Sequence, residues 1–188
     1  GCMRWRFQAD SNIRSAITQG VVEQDGQSRA LLFFGTFEGT AYAVDAATGV
    51  EVWQREMDPH KYAMVTGTPV FHENRLYVPV SSYELMVAIN PFYECCTFRG
   101  AVSALDAATG KFLHGYKYVD QLNWAKGLDA NGRPEVDPRY EPKAGSNPEY
   151  ICPGNVGGQN GSYTAAYSPQ THLVYVPVVE SCGKMEKQ

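Results

Sequence analysis

No apolar run in this chain approaches the ~18 residues that a membrane-crossing helix needs, so the sequence holds no helical transmembrane segment. Positive charge is not in excess. Sixteen Lys and Arg stand against 20 Asp and Glu, a net charge of -4, which removes the electrostatic reason to expect nucleic acid as a partner. There is no Cys-x-x-Cys-His motif, and so no attachment point for a c-type haem in this sequence. No leader-like segment is visible either: Gly1-Cys-Met-Arg-Trp5 begins amid structured-looking sequence, and reads as a piece of something longer. What the chain has in quantity is 12 Tyr, 18 Gly and 11 Pro, a mixture that fits turn-rich all-β structure better than helices. With 188 residues and 44% hydrophobic content it can bury a substantial core.

One phrase occurs twice: Gly39-Thr-Ala-Tyr-Ala-Val-Asp-Ala-Ala-Thr-Gly49 and Gly100-Ala-Val-Ser-Ala-Leu-Asp-Ala-Ala-Thr-Gly110. Each copy is a strand of alternating small and apolar residues, then an Asp-Ala-Ala-Thr-Gly turn leading into another strand (Glu51-Val-Trp53, Lys111-Phe-Leu113). A repeat built this way, with its two Asp 61 positions apart (Asp45, Asp106), points to β-propeller blades. At that period 188 residues give about three blades, whereas closed rings need roughly four to eight, so the predicted ring is incomplete.

The expected organisation is one partial propeller domain over 1–188. Residues 1–56 form one blade, 57–117 a second with an insertion at Tyr83–Phe98, and 118–188 a long loop and a further blade. Residues 4–8 read as an outer strand, 31–36 as a buried strand, and 40–44 and 50–55 as the strands flanking the first Asp turn. In the second blade 67–71 and 75–80 read as a hairpin about a turn at His72–Asn74. Residues 120–150 read as irregular, and 163–178 as a strand pair whose end, Leu173-Val-Tyr-Val-Pro-Val178, echoes Leu76–Val80.

The repeats together with Cys95-Cys96 resemble the pyrroloquinoline quinone (PQQ)-dependent alcohol dehydrogenases, whose fold is an eight-bladed propeller with PQQ and calcium on its axis. Residues 1–110 look most like the polyvinyl-alcohol-dehydrogenase branch, above all Glu94-Cys-Cys-Thr-Phe-Arg-Gly100. Residues 111–188 look like the methanol- and ethanol-dehydrogenase branch, through Leu122-Asn-Trp-Ala-Lys-Gly-Leu-Asp129, Gly132-Arg-Pro134 and Ile151-Cys-Pro-Gly-Asn-Val-Gly-Gly-Gln-Asn160. Those two blocks normally lie several blades apart. Their meeting inside Asp106–Lys111 reads as a deletion, a recombination between repeats or a misassembled reading frame.

The resemblance implies a set of site residues. Cys95-Cys96 would form a vicinal disulfide against the cofactor ring, the alternatives being two unpaired structural thiols or pairing elsewhere. Cys152 and Cys182 fall where the family places a conventional disulfide, leaving Cys2 odd. Two bridges would imply an oxidising compartment, periplasmic or secreted, as in the family; in a reducing cytosol the 5 cysteines would all be thiols. Glu84 resembles the calcium carboxylate, with a solvated loop Glu as the alternative. Thr66, Ser81 and Ser82 would hydrogen-bond PQQ oxygens, and Arg14 would pair with a PQQ carboxylate. Arg99 and Asn160 are further cofactor candidates whose alternative is blade-to-blade bonding. Trp5 and Trp53 sit in the repeated docking motif and Trp124 in the loop, so all three read as packing residues. No segment matches the family's Asp general base, and the second calcium ligand and the stacking Trp find no counterpart.

The activity so implied is oxidation of a small or polymeric alcohol, with electrons passed on to an acceptor such as a cytochrome c. A non-catalytic propeller segment serving as a scaffold is the other reading. An open arc of blades would leave apolar faces uncovered, and self-association through them is expected.

Overall fold

In the computed structural model, residues 2–93, 97–141, 150–154 and 166–184 are described. They divide into two compact units, residues 1–115 with 130–133, and residues 116–129 with 134–188.

The first unit holds two antiparallel sheets. The first runs β1 (Thr18–Gln24), β2 (Gln27–Gly35), β3 (Thr40–Asp45) and β4 (Glu51–Glu56), each paired with the next in sequence. Asp25-Gly26 makes the β1–β2 turn, with φ of 51° and 75° at the two positions, the geometry a two-residue hairpin requires and Asp-Gly readily supplies. Sequence reading missed β1, because its exposed edge carries Gln19, Glu23 and Gln24 and no clean alternation. Every residue of β3 is buried, so this sheet is covered on both faces. Leu31 and Phe33 enter the main core on one face, while Phe34, Tyr42 and Val44 meet Trp5 and Phe7 on the other.

The second sheet is built on β7 (Arg75–Ser82). One edge of β7 pairs with β5 (Ala63–Met64) at Ser81 and Ser82, and with β6 (Val70–His72) near Arg75. Its other edge pairs with β8 (Ala101–Asp106), which pairs with β9 (Phe112–His114). A single helical turn, α1 (Glu84–Val87), follows β7 directly. The main core lies between the two sheets: Leu31, Phe33 and Trp53 from one, Leu76, Val78 and Leu105 from the other. Phe33 stacks on Phe71 with ring centroids 5.7 Å apart. Each fully buried side chain of this size contributes roughly 1.5–3 kcal/mol, so this interface dominates the unit's stability.

The second unit contains the hairpin β10 (Ala125–Leu128) and β11 (Pro134–Val136), a 3-10 turn at Pro138–Tyr140, and the pair β12 (Ala166–Ser168) and β13 (Leu173–Tyr175). Cys152 and Cys182 are disulfide-bonded, with Ile151 bridging Gly183 beside them.

The fold is all-β and made of propeller-type blades, in sheets that do not close into a ring among the described residues. Three local expectations are corrected. Residues 4–8 form no strand; Trp5 and Phe7 are held by packing on β2 and β3 rather than by backbone pairing. The stretch 120–150 is not wholly irregular, since β10 and β11 fold on each other within it. The last strand stops at Tyr175 instead of continuing through Val178.

Candidate functional site

The residues singled out in the sequence sit where β2 and β7 end. Segment 10–15 is stitched to the β2–β3 connection. Phe37 N–H donates to Asn12 C=O at 2.9 Å, Glu38 N–H to Ser11 Oγ at 3.1 Å, and Thr40 Oγ1 to Asp10 Oδ2 at 2.6 Å. That places Arg14 with its guanidinium 5.9 Å from the Phe37 ring centre, and Phe37 lies 5.6 Å from Tyr83. From the facing sheet, Val65 N–H reaches the Thr36 carbonyl at 3.0 Å. Thr66 follows, its Oγ1 3.3 Å from Ser81 Oγ. Ser82 pairs with Ala63 across the β5–β7 ladder, and its Oγ accepts from Glu84 N–H at 3.3 Å. Arg14, Thr66, Ser81 and Ser82 are thus carried to one end of the two sheets. Arg99 donates to the Phe98 carbonyl at 2.8 Å. Cys95, Cys96 and Asn160 lie outside the described residues.

Glu84 stands at the start of α1 with 6% of its side-chain surface exposed. Its Oε1 accepts from Thr97 N–H at 2.7 Å, Tyr93 Oη at 2.9 Å and Thr97 Oγ1 at 3.2 Å, and its Oε2 accepts from Phe98 N–H at 3.0 Å. His60 Nε2 lies 3.6 Å from Oε1 and 2.9 Å from Thr97 Oγ1. Burial alone would raise the carboxyl. The Thr97 and Phe98 backbone donors, then Tyr93 and His60, outweigh it and hold Glu84 below the usual carboxylate range. Burial and the accepting carboxylate push the Tyr93 phenol up to about 12.

Sequence reading singled out Glu84, as a calcium carboxylate, and named none of His60, Tyr93 and Thr97 around it. They come from segments 9 to 24 positions away, and no local spacing joins them. Among the described residues no group of three or more His, Cys, Asp or Glu could hold a metal ion. The one free cysteine among them is the exposed Cys2. No described helix is long and apolar enough to cross a membrane.

The chain is 38% identical over 113 residues to a polyvinylalcohol dehydrogenase of a Pseudomonas species, a match covering 60% of this chain and 18% of the relative. It is 37% identical over 145 residues to the dehydrogenase subunit of the alcohol dehydrogenase (quinone) of Acetobacter aceti, covering 75% of this chain and 18% of that subunit. It therefore spans less than a fifth of the length of these relatives. A solved quinohemoprotein alcohol dehydrogenase from Pseudomonas putida HK5 overlays with a TM-score of 0.45 at 22% identity, covering 79% of this chain and 19% of that one. No protein-family model matches the chain. Over the stretches they share, this chain is similar in sequence to polyvinylalcohol dehydrogenase and to the dehydrogenase subunit of quinone-dependent alcohol dehydrogenase.

Proposed function

We propose that this chain supplies part of the cofactor pocket of a PQQ-dependent alcohol dehydrogenase, an enzyme that oxidises hydroxyl groups to carbonyls. The observation that carries the reading is the 38% identity to a polyvinylalcohol dehydrogenase. The residues at the ends of β2 and β7 suit such a ligand. PQQ is a planar quinone bearing three carboxylates, and Arg14 offers it a guanidinium that makes no ion pair among the described residues. The hydroxyls of Thr66, Ser81 and Ser82 offer rotatable donors close by. Cys95-Cys96 and Asn160 belong to the same proposed set, with Arg99 as its weakest member because it already bonds a neighbouring carbonyl. When bound, the quinone would supply the electrophilic carbon that accepts hydride; the chain's own residues would bind and orient it.

Calcium, which the resemblance also implies, fits less well. The described residues offer it one carboxylate whose lone pairs are largely taken, so further ligands would have to come from outside them. No residue here is assigned as general base, and no turnover is expected from this chain alone. The substrate would be a small or polymeric alcohol, the electron acceptor a protein such as a cytochrome c. The Cys152–Cys182 bridge supports an oxidising compartment, periplasmic or secreted.

The test is a titration of the purified, oxidised chain with PQQ, with and without calcium, followed by tryptophan fluorescence. Saturable binding that weakens at least tenfold in Arg14→Ala is the expected result, about the loss of one charge-assisted bond. Absence of saturation would remove the cofactor reading and favour a blade segment that only packs against other proteins.

A further inference from the structure

Glu84 has nearly everything a buried carboxylate needs from the protein itself. A carboxylate has two oxygens and about four lone-pair sites, and here four donors converge on it. Three of them crowd Oε1, the oxygen that also faces His60. All four come from Tyr93, Thr97 and Phe98, at the far end of the Tyr83–Phe98 insertion, whereas Glu84 stands at its near end. The bonds therefore close the insertion on itself. His60, in the segment after β4, ties the same point to a third stretch of chain through Thr97 and packs edge-on against Phe98 at 5.5 Å.

We propose that Glu84 is an internal staple, a positioning residue that holds the two ends of the 83–98 insertion together, and not a metal ligand. N–H and O–H groups aimed at a carboxylate are the opposite of what a cation needs around it. A hard cation requires oxygen lone pairs on every side, and would have to displace the backbone donors of Thr97 and Phe98 to be held bidentately. Losing those donors would leave two backbone N–H groups without acceptors near a buried site. This inference stands apart from the cofactor reading: PQQ binding can fail and the staple still hold.

The experiment pairs hydrogen exchange by mass spectrometry with terbium luminescence on the whole chain, terbium serving as the probe for a calcium-type site. Glu84→Gln keeps the shape but turns an amide NH2 toward some of the donors. Amides of residues 83–98 should then exchange about tenfold faster, as expected for loss of charge-assisted bonds, while those of β2 and β3 stay unchanged. The terbium signal should equal that of the unsubstituted chain. Tyr93→Phe leaves the carboxylate in place and should loosen the same segment to a lesser degree; it decides the matter if Glu84→Gln fails to fold. Unchanged exchange in 83–98, or terbium binding lost in Glu84→Gln and kept in Tyr93→Phe, would overturn the proposal.

Discussion

The two copies of the eleven-residue phrase fold alike and are braced differently. In each, the Asp carboxylate accepts from the Thr three positions on, through both N–H and hydroxyl, and the closing Gly N–H returns to the Asp carbonyl at 2.8 Å. In each, an indole lies over that Gly and donates to the Ala carbonyl after the Asp: Trp5 to Ala46 at 3.2 Å, Trp53 to Ala107 at 2.9 Å. The surroundings then part. Trp53 belongs to the main core between the sheets, whereas Trp5 packs against the satellite cluster of Phe34, Tyr42 and Val44. Arg29 reaches Asp45 at 2.7 Å, while the equivalent approach to Asp106 is already a turn. The difference comes from hairpin length: β2 runs four residues beyond the partner of Asp45, but β7 begins at the partner of Asp106. An identical turn thus acquires its strength from what the neighbouring strand can reach.

Trp53→Ala against Trp5→Ala is the sharpest cut through this comparison. Removing a buried indole from the main core should cost about 3–5 kcal/mol. Removing Trp5 should cost about 1–2 kcal/mol, within the ordinary range for a partly buried side chain. Urea denaturation of both variants, followed by circular dichroism, measures the gap. Equal losses would mean that the satellite cluster is as much a part of the cooperative core as the interface between the sheets.

The glycines give a second, smaller contrast. Gly49 and Gly110 have φ of 73° and 70°, so Ala at either should cost about 1–2 kcal/mol from backbone conformation alone. An added Cβ would also fall 2.5 Å from Trp5 or 2.8 Å from Trp53. Trp5, half-buried, can give way; Trp53, fixed between two sheets, cannot. Gly110→Ala is therefore expected to be the more damaging, and adding Trp5→Ala should relieve part of the Gly49→Ala loss. A double-mutant cycle reads that coupling, and strict additivity would show that indole contact has no share in it.

What was legible in the sequence follows the same line between local and distant causes. The Asp-Ala-Ala-Thr-Gly turns were readable because their bonds run within four residues. Strands β3, β4 and β8 were readable from alternation beside those turns. Residues 4–8 alternate just as well, yet the pattern records only that Trp5 and Phe7 are covered, which packing does without a strand partner. The hairpin at Asp25-Gly26 had a readable signal, the dipeptide itself, hidden by the polar residues around it. Of the candidate residues, Thr66, Ser81 and Ser82 were singled out through the family resemblance alone, and the structure brings Thr66 and Ser81 side by side without testing their role. The surroundings of Glu84 were not legible, because His60 is 24 positions before it and Thr97 is 13 after, joined only by the fold.

The smallest expected effect isolates the one ionic difference between the two turns. Arg29, with the Thr48 hydroxyl and N–H, lowers the Asp45 carboxyl to about 2, against an ordinary value of about 3.9. A folded value below the unfolded one means that the group stabilises the fold above about pH 4, and that this part is lost as pH falls toward about 2. The Arg29 side chain is 48% exposed, so solvent screens the pair and the contribution is modest and salt-sensitive. Arg29→Ala should therefore lower the midpoint of thermal unfolding slightly at neutral pH, leave it nearly unchanged near pH 2, and so flatten its decline between pH 4 and 2. Raising salt should bring the unsubstituted chain toward the variant. An acid decline of the same steepness in both would place the sensitivity elsewhere, with Glu84 the next candidate, since its carboxyl is lowered too and the sign of its contribution is the same.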